Sequence, residues 1–328
     1  MRVAIIGLGE VSSSHIGGLL ANGQEIVAVC DIIYQKCQRV NEFYSLNASC
    51  YTDYKEMIDN ERIDCVHVCT PHYLHAPMIV YALSKNVNVF TEKPLAISKE
   101  QLLDIEKAVK SSTAQLGVCQ QNRYNKSTKY VLDFIKDKKV LASSGQLVWC
   151  RDKSYYSRGE WRGKWATEGG GVMINQALHT LDLLMLFTGF PKSVTASISN
   201  NSLKGVIEVE DTAFGLFECE NGANFVMNAT NASKYTFPVQ IALATSEHKI
   251  LIDGQSVFID GELVDVKCDE IPLGKECWGA GHAIIIKDFY KKLQSGEKFE
   301  LDFYEAQKVV KLILAMYESK GEKINVEL

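Results

Sequence analysis

The chain has 328 residues, enough for two domains that each bury a hydrophobic core. Its hydrophobic fraction of 46% and charged fraction of 23% are typical of globular proteins and exclude collagenous or low-complexity sequences. The net charge of −5, without a basic block, argues against nucleic acid as a partner, and no apolar run is long enough for a membrane span. No signal sequence precedes the first predicted strand, so we expect a cytoplasmic protein.

From Met1 to about Gln120, short apolar runs alternate with amphipathic stretches. This alternation predicts a parallel sheet covered by helices. A helix should follow the fourth run, because Ser98 and Gln101 form a capping box in which each side chain accepts the other's backbone N–H. The predicted strands are Val3 to Ile6, Ile26 to Cys30, Cys65 to Cys69, Val87 to Phe90 and Gln115 to Cys119.

After about Asn122 the pattern changes to β-rich segments joined by tight turns. Asn221-Gly222, Asp253-Gly254 and Asp260-Gly261 are strong hairpin signals and predict antiparallel pairing. Four helices are predicted in this half, at Lys126 to Lys138, Val172 to Thr188, Gly281 to Leu293 and Phe303 to Ser319.

The predicted fold class is α/β with two domains. Residues 1–121 should form an N-terminal doubly wound parallel sheet of the Rossmann type. Residues 122–328 should form a C-terminal α+β domain built on a large, mostly antiparallel open sheet. The exposed face of that sheet predicts a homodimer or homotetramer.

The ten cysteines are scattered through predicted strands and form no paired CxxC motif. We therefore expect reduced, mostly buried thiols without disulfides. Cys65 and Cys69 on one strand do not supply tetrahedral ligands, so no metal site is expected.

A dinucleotide-binding turn follows the first predicted strand. Gly7 permits the tight turn, Gly9 lets a pyrophosphate approach the backbone, and the small Ser12 allows the next helix to pack on the strand. Asp31 follows the second strand, 19 residues after Ser12, where a carboxylate accepts hydrogen bonds from ribose hydroxyls. That carboxylate repels a 2′-phosphate and no arginine follows it, so the pattern favours NAD over NADP.

The ends of two later strands supply further candidates. Thr70 and Pro71 follow the third predicted run, and Glu92-Lys93-Pro94 follows the fourth. Because ligands of open α/β sheets bind at the carboxyl ends of strands, Lys93 is a candidate active-site group. A lysine on a turn is also commonly a solvated charge, and this segment alone leaves both interpretations open.

A helix in the second half carries another candidate. Asn175, His179 and Asp182 lie at positions i, i+4 and i+7, which predicts one shared helix face. The helix follows Gly169-Gly170-Gly171 and should end at Gly189; a glycine run of this kind marks a place of close approach. A single helical histidine is also often a packed structural residue, and the helix alone does not decide between the two.

The stretch from Arg151 to Glu168 is rich in aromatic residues and arginine. Aromatic faces stack on sugar rings, and arginines bind carboxylates or phosphates. The same composition also serves a packed loop or a subunit contact, so both readings are kept.

Five segments in this order resemble the glucose–fructose oxidoreductase/inositol dehydrogenase (Gfo/Idh/MocA) family over essentially the whole chain. They are the glycine turn, Cys69-Thr70-Pro71 with His75 and Ala82-Leu83, Glu92-Lys93-Pro94, Gln121-Asn122-Arg123-Tyr124, and the segment from Trp161 to Asp182.

The resemblance implies NAD(P)-linked oxidation or reduction of a sugar, cyclitol, nucleotide sugar or related carbonyl compound. By position, Lys93 corresponds to the family's active-site lysine and His179 to its catalytic histidine. Asn175 stands where many members carry aspartate, so an Asp/His pair is not assumed. The implied cofactor-binding set is Gly7, Gly9, Glu10, Val11, Ser12, Asp31, Thr70, Pro71, His75, Glu92, Lys93 and Gln121. The implied substrate-binding set is Lys93, Tyr124, Arg151, Trp161, Arg162, Asn175 and His179.

The resulting hypothesis is that His179 removes the proton of a substrate hydroxyl while Lys93 hydrogen-bonds the same oxygen. Two alternatives remain. One is a dehydrogenase of dihydrodiols or other non-sugar carbonyl compounds, and the other is a nucleotide-binding sensor without turnover. A binding module needs no proton-transfer pair, so the presence of both Lys93 and His179 favours the enzyme.

Overall fold

The computed structural model describes residues 1–266 and 280–327, which form two compact units. The first unit contains Met1–Tyr124 and a later segment that ends at Gln307. The second begins at Asn125 and includes the chain from Lys308 onward. No helix among the described residues is both long and apolar enough to cross a membrane.

The helices are α1 (Ser12–Ala21), α2 (Tyr34–Tyr44), α3 (Tyr54–Asn60), α4 (His75–Ser84), α5 (Lys99–Ser111), α6 (Lys126–Ile135), α7 (Lys153–Tyr156), α8 (Leu178–Thr188), α9 (Gly281–Ser295) and α10 (Phe303–Ser319). The strands are β1 (Arg2–Ile6), β2 (Glu25–Cys30), β3 (Ser49–Tyr51), β4 (Cys65–Val68), β5 (Asn88–Thr91), β6 (Leu116–Val118), β7 (Val140–Val148), β8 (Pro191–Ser199), β9 (Thr212–Cys219), β10 (Asn224–Thr230), β11 (Gln240–Thr245), β12 (Lys249–Asp253), β13 (Ser256–Ile259), β14 (Glu262–Val264) and β15 (Lys323–Asn325).

The first unit is built on a parallel sheet in the order β3-β2-β1-β4-β5-β6, which confirms the doubly wound prediction. The order reverses between β1 and β4, so their carboxyl ends flank the crevice where such sheets bind ligands. Strand β3 was not predicted, because its three residues are too few for a periodic pattern.

The predicted capping box at the start of α5 differs in one bond. The Ser98 hydroxyl accepts the backbone N–H of Gln101, as expected. The Gln101 side-chain oxygen accepts the N–H of Ile97 at 3.0 Å, one residue earlier than the box predicts. The helix therefore begins where predicted, with a shifted reciprocal bond.

Helix α9 is part of the first unit, although the sequence analysis placed it in the second domain. Its apolar residues Ile285, Phe289 and Tyr290 are buried in the same core cluster as strand residues of the first unit. The ring of Phe289 lies 4.9 Å from that of Phe90 on β5. The apolar face of α9 determines its place, and the domain boundary near residue 121 does not describe it.

The second unit contains a nine-stranded sheet in the order β14-β13-β12-β11-β7-β10-β9-β8-β15. Every pair is antiparallel except β7 with β10, which is parallel. The three predicted hairpins are confirmed, since Gly222, Gly254 and Gly261 join β9 to β10, β12 to β13 and β13 to β14. The mostly antiparallel prediction is thus correct.

One face of this sheet is exposed among the described residues. Side chains alternate between buried and exposed along β9 and β10. Phe214, Leu216 and Val226 belong to the exposed face, and Leu216 is directly opposite Val226 in the register. The sheet therefore presents apolar side chains on the face opposite to its core.

The eight cysteines of the described ranges are free, and Cys30, Cys37, Cys65, Cys69, Cys119 and Cys219 are buried. Their burial agrees with the prediction of mostly buried thiols. Cys268 and Cys277 lie outside the described residues.

Candidate active-site residues

The turn after β1 fits a dinucleotide for two separate reasons. Gly7 has φ +87°, and a Cβ there would lie 2.7 Å from the carbonyl oxygen of Cys69, so the fold itself requires glycine. Gly9 is different, because its φ is not positive and a Cβ there would meet no atom within 4 Å. The fold does not require glycine at residue 9, whereas a pyrophosphate approaching the backbone does.

The N-terminus of α1 follows this turn directly. Ser12 is buried, and its hydroxyl donates to the carbonyl oxygen of Gly9 at 2.7 Å. The N-cap residue Val11 offers no side-chain oxygen, and the first turn of the helix has no acidic residue. The backbone N–H groups and the positive end of the helix dipole are therefore suited to a phosphate. Glu10 is exposed beside them.

Asp31 ties the end of β2 to the glycine turn. Its side chain is 8% exposed, and its Oδ2 accepts the N–H of Leu8 at 2.9 Å. The same oxygen accepts a bond from Lys36 Nζ at 3.1 Å, while Oδ1 accepts the N–H of Ile33. Lys36 was not predicted as a cation near this carboxylate, because only the residues directly after Asp31 were searched for an arginine.

His75 holds together the turns after β4 and β5. Its Nδ1 lies 2.7 Å from the carbonyl oxygen of Pro94, and its Nε2 lies 2.9 Å from that of Thr70. Burial lowers the pKa of this histidine. A neutral imidazole has one N–H, so only one of the two carbonyls receives a proton at a time. The side chain is fully buried, and these contacts give it a role in fixing the shape of the crevice.

The Glu92 side chain is directed into the core of the first unit. Its Oε1 lies 2.9 Å from His15 Nε2 and 3.5 Å from His282 Nε2. Its Oε2 accepts the backbone N–H of Lys93 at 3.3 Å. Lys93 itself is partly buried at the carboxyl end of β5. Glu92, which was predicted to bind cofactor, thus holds the backbone of Lys93, the predicted active-site lysine.

The contacts of Glu92 continue into a series of buried hydrogen bonds that was not predicted from the sequence. His15 Nδ1 lies 2.7 Å from His67 Nδ1, and His67 Nε2 lies 2.8 Å from the hydroxyl of Tyr290. All these side chains are buried. The four residues are far apart in the sequence, so no local pattern connects them.

The positions of the protons in this series of hydrogen bonds follow from the pKa shifts of Glu92, His15 and His67. Burial raises the pKa of Glu92, but His15 and His282 outweigh it and hold that pKa well below its usual value. Burial lowers the pKa of His15, but Cys69, Cys119 and Glu92 raise it well above the usual value. Burial raises the pKa of both thiols, which keeps them protonated, so Glu92 is the anion among these partners. His15 is therefore the cation, and both its N–H groups donate, one to Glu92 and one to His67. Burial and the charge of His15 keep His67 neutral.

One atom each from His15, Glu92 and Cys119 lies within 4.8 Å of the others, an arrangement that could hold a metal ion. The His15 to Glu92 distance is that of a hydrogen bond. Ligands placed about 2.0–2.2 Å from a zinc ion in tetrahedral geometry are farther apart than this. We therefore describe the cluster as an ion pair.

Gln121 and Tyr124 lie in a short 3-10 helix after β6. The Gln121 side-chain oxygen is buried and has no hydrogen-bond partner among the described residues. A buried acceptor of this kind at the carboxyl end of a strand fits a ligand donor. The hydroxyl of Tyr124, predicted to bind substrate, donates to Asp288 Oδ2 at 2.7 Å.

In the second unit, Glu210 holds the glycine run. Its carboxylate accepts the N–H groups of Gly171 and Met173 and the hydroxyl of Tyr317, at 2.8 to 3.0 Å. A Cβ on Gly170 would lie 2.0 Å from the Tyr317 oxygen, so no side chain fits there. Burial raises the pKa of Glu210 to about 7. The run is thus a place of close approach, as predicted, but to the protein's own residues.

The helix that carries His179 is not regular. Residues Met173–Ala177 form a π-helix, and α8 begins only at Leu178. The expectation that Asn175, His179 and Asp182 share one face assumed α-helical spacing throughout, and the π-helical segment that contains Asn175 departs from that spacing. The Asn175 amide donates to Glu168 Oε1 at 2.5 Å. His179 is 9% exposed and lies in the first turn of α8.

The aromatic and arginine-rich segment forms a cluster around Tyr155. The Tyr155 hydroxyl accepts bonds from Arg162 Nη1 at 2.6 Å and from Gln176 Nε2 at 3.1 Å. Asn175 Nδ2 lies 3.4 Å from the same hydroxyl. Arg162 stacks on Trp161. The predicted substrate-binding residues of this segment therefore lie together, and Tyr155 joins them.

Two family models match the chain. Residues 1–120 match an oxidoreductase family with an NAD-binding Rossmann fold, and residues 140–254 match the GFO/IDH/MocA C-terminal domain.

Individual relatives have low sequence identity to the chain. An inositol 2-dehydrogenase of Salmonella typhimurium is 31% identical over 131 residues, a match that spans 38% of each chain. A D-glucoside 3-dehydrogenase of Escherichia coli is 25% identical over 100% of this chain and 97% of its own. The crystal structure of the WlbA dehydrogenase from Bordetella pertussis in complex with NADH and UDP-GlcNAcA has a TM-score of 0.88 and 25% identity, covering 100% of this chain and 99% of that one.

Proposed function

The chain belongs to the GFO/IDH/MocA family of NAD-binding oxidoreductases, and we propose that it transfers hydride between NAD and a hydroxyl or carbonyl group of a sugar, cyclitol or nucleotide sugar. The observation that carries the proposal is the open backbone at Gly9, between a glycine turn that the fold requires and the Asp31 carboxylate. Relatives named as dehydrogenases of inositol and of glucosides support the substrate class.

In the proposed mechanism the protein moves one proton. His179 accepts the proton of the substrate hydroxyl, and Lys93 donates a hydrogen bond to the same oxygen as negative charge develops on it. A bound nicotinamide ring supplies the hydride acceptor. Glu92 holds the Lys93 backbone through its Oε2. A fixed backbone limits the positions that the lysine side chain can take.

The function is tested by following the absorbance of NADH while the full-length protein is mixed with NAD and single candidate substrates. Sugars, cyclitols, nucleotide sugars and dihydrodiols form the panel. We expect turnover with at least one polyhydroxylated compound. Turnover confined to dihydrodiols would replace the substrate class. Tight NADH binding without turnover on any compound would favour a sensor over an enzyme.

A prediction concerns the choice of cofactor. Replacing Asp31 by serine removes the charge that repels a 2′-phosphate and leaves Lys36 available to bind one. The preference for NAD over NADP, measured as a ratio of kcat/KM, should fall by roughly 10-fold or more. Glu42→Gln on the exposed surface of α2 is the matched charge control and should keep the ratio. An unchanged ratio in Asp31→Ser would remove Asp31 from cofactor selection.

We also propose that the protein assembles as a homodimer or homotetramer through the exposed face of its nine-stranded sheet. Phe214 is 59% exposed there, beside Leu216 and Val226. Apolar side chains grouped on one sheet face are typical of a subunit interface. A second copy of the same face is self-complementary across a two-fold axis.

A further inference from the structure

Two arginines of the second unit stack on aromatic rings. The Cζ atom of Arg151 lies 4.7 Å from the ring centroid of Trp149 and 5.0 Å from that of Tyr155. The Cζ atom of Arg162 lies 4.6 Å from Tyr155 and 4.5 Å from Trp161. Neither arginine makes an ion pair with a carboxylate among the residues that the structure describes.

Most of their side-chain hydrogen-bond donors have no acceptor among the residues that the structure describes. Arg162 donates one bond, to the Tyr155 hydroxyl, and Arg151 donates one, to the carbonyl oxygen of Cys150 at 2.8 Å. The Nε of Arg151 is buried and has no partner within the described ranges. Each guanidinium carries five N–H donors. The remaining donors, which meet no acceptor in the described part of the chain, are therefore available to a ligand.

Basic side chains outnumber acidic ones around the two arginines. Both Cζ atoms lie within about 5 Å of the same ring centroid, so the two cations are no more than about 10 Å apart. Residues 151–168 contain five basic and three acidic side chains. One of these acids, Asp152, caps the short helix α7. The third acid, Glu168, is buried and accepts from the Asn175 amide and from the backbone N–H of Gly163. Neither guanidinium forms an ion pair with Glu168 or another carboxylate of the described residues, so a bound anion would lower the cost of holding two half-buried cations near each other.

The Tyr155 ring, over which both guanidinium groups lie, is held in place by hydrogen bonds. Gln176 donates to the Tyr155 hydroxyl, and its own side-chain oxygen accepts from Asn231 Nδ2 at 2.9 Å. Asn231 Nδ2 also lies 3.1 Å from the hydroxyl of the buried Tyr156. Rings held in this way keep the guanidinium groups in one arrangement before a ligand arrives, which reduces the entropy lost on binding.

We propose that Arg151 and Arg162 bind an oxyanion carried by the substrate, so that the substrate is an acidic sugar. The oxyanion is either the carboxylate of a uronate or the phosphate of a sugar phosphate or nucleotide sugar, since guanidinium forks match both. The sugar part rests on the proposed function. The anion-binding part rests only on side chains of the second unit.

Calorimetric titration of the full-length protein saturated with NADH tests this without requiring turnover. The four probes are D-glucose, D-glucuronate, UDP-glucose and UDP-glucuronate, which vary the carboxylate and the diphosphate independently. We expect at least one anion to improve affinity by about 10-fold or more, and added salt to weaken that gain. A gain with glucuronate over glucose identifies the carboxylate, and a gain with UDP-glucose over glucose identifies the phosphate.

Variants connect the gain to the two arginines. Arg151→Gln and Arg162→Gln should each weaken binding of the preferred anionic probe by about 10- to 100-fold and leave glucose unaffected. Arg162→Lys keeps the charge but loses the paired N–H donors of the planar guanidinium, so its affinity should lie between that of Arg162→Gln and that of the wild type. Arg158→Gln, an exposed arginine of the same segment, is the control and should match the wild type. Circular dichroism confirms that each variant is folded.

Equal affinity for neutral and anionic probes would overturn the inference, as would unchanged affinity in both glutamine variants. A changed oligomeric state in these variants without a change in affinity would also overturn it and assign the arginines to a subunit contact. Turnover of a neutral sugar as efficient as that of its acidic counterpart would contradict the inference while supporting the proposed function. Anion binding through both arginines without any turnover would support the inference and contradict the proposed function.

Discussion

His179→Ala is expected to lower turnover by about 10²-fold or more while the affinity for NADH stays the same. Loss of a general base typically has an effect of this size, because the hydroxyl proton must then be transferred to water. His179 is nearly buried in the first turn of α8, and the dinucleotide-binding features described above belong to the first unit. Steady-state kinetics and fluorescence titration with NADH measure the two quantities separately.

The control for this variant is His248→Ala. His248 is a partly exposed histidine of the second unit whose Nδ1 lies 2.8 Å from Asp260 in a hairpin. We expect its turnover to equal that of the wild type. Wild-type turnover in His179→Ala would exclude His179 as the base. Lys93→Met provides the comparison, since losing the hydrogen bond to the developing charge lowers kcat even with the base intact.

His15→Leu is expected to destabilise the first unit by about 3–5 kcal/mol, because it leaves the Glu92 carboxylate buried without its closest cationic partner. His282 remains at 3.5 Å from the same oxygen, but it does not replace the direct contact at 2.9 Å. Urea unfolding monitored by circular dichroism measures the change. The double variant His15→Leu/Glu92→Leu removes both charges and should recover a large part of the loss.

The pH dependence of this loss follows from the two shifted groups. The raised pKa of His15 stabilises the fold fully below the unfolded-state value of about 6.5, and this contribution disappears as the pH rises through the folded-state value. The lowered pKa of Glu92 stabilises the fold above about 4.3 and stops doing so at lower pH. The difference between wild type and His15→Leu should therefore be largest at about pH 5–6. A difference that grows towards alkaline pH would contradict the ion pair.

Local patterns predicted the fold well where the deciding interactions are close in sequence. The Asn221-Gly222 hairpin needs only a turn that tolerates positive φ, and α10 occupies Phe303–Ser319 as predicted. The π-helical segment was missed because its apolar residues also fit an α-helical period. The period specifies which residues are buried and not how the backbone hydrogen bonds are arranged.

The candidate site also separates into residues that a local motif predicts and contacts between residues that are far apart in the sequence. Gly7, Gly9 and Asp31 were predicted as cofactor-binding residues because a glycine motif and an acidic residue at a fixed distance along the chain indicate that chemistry. The ion pair of His15 with Glu92 joins residues 77 positions apart, and His67 meets Tyr290 across 223 positions. Glu210 likewise clamps a glycine run 39 residues earlier. Contacts at such separations depend on the order of strands and on packing, which a single sequence does not specify.

The inclusion of α9 in the first unit has a consequence for how the protein is made. Phe289 and Tyr290 complete a core whose strands are all translated before residue 120. During synthesis the core of these strands cannot be completed until α9 has been translated. Until then the N-terminal half exposes apolar surface of the kind that chaperones bind. A fragment ending near residue 121 should remain incompletely packed for the same reason, whereas adding a peptide spanning 281–307 to it would supply the missing part.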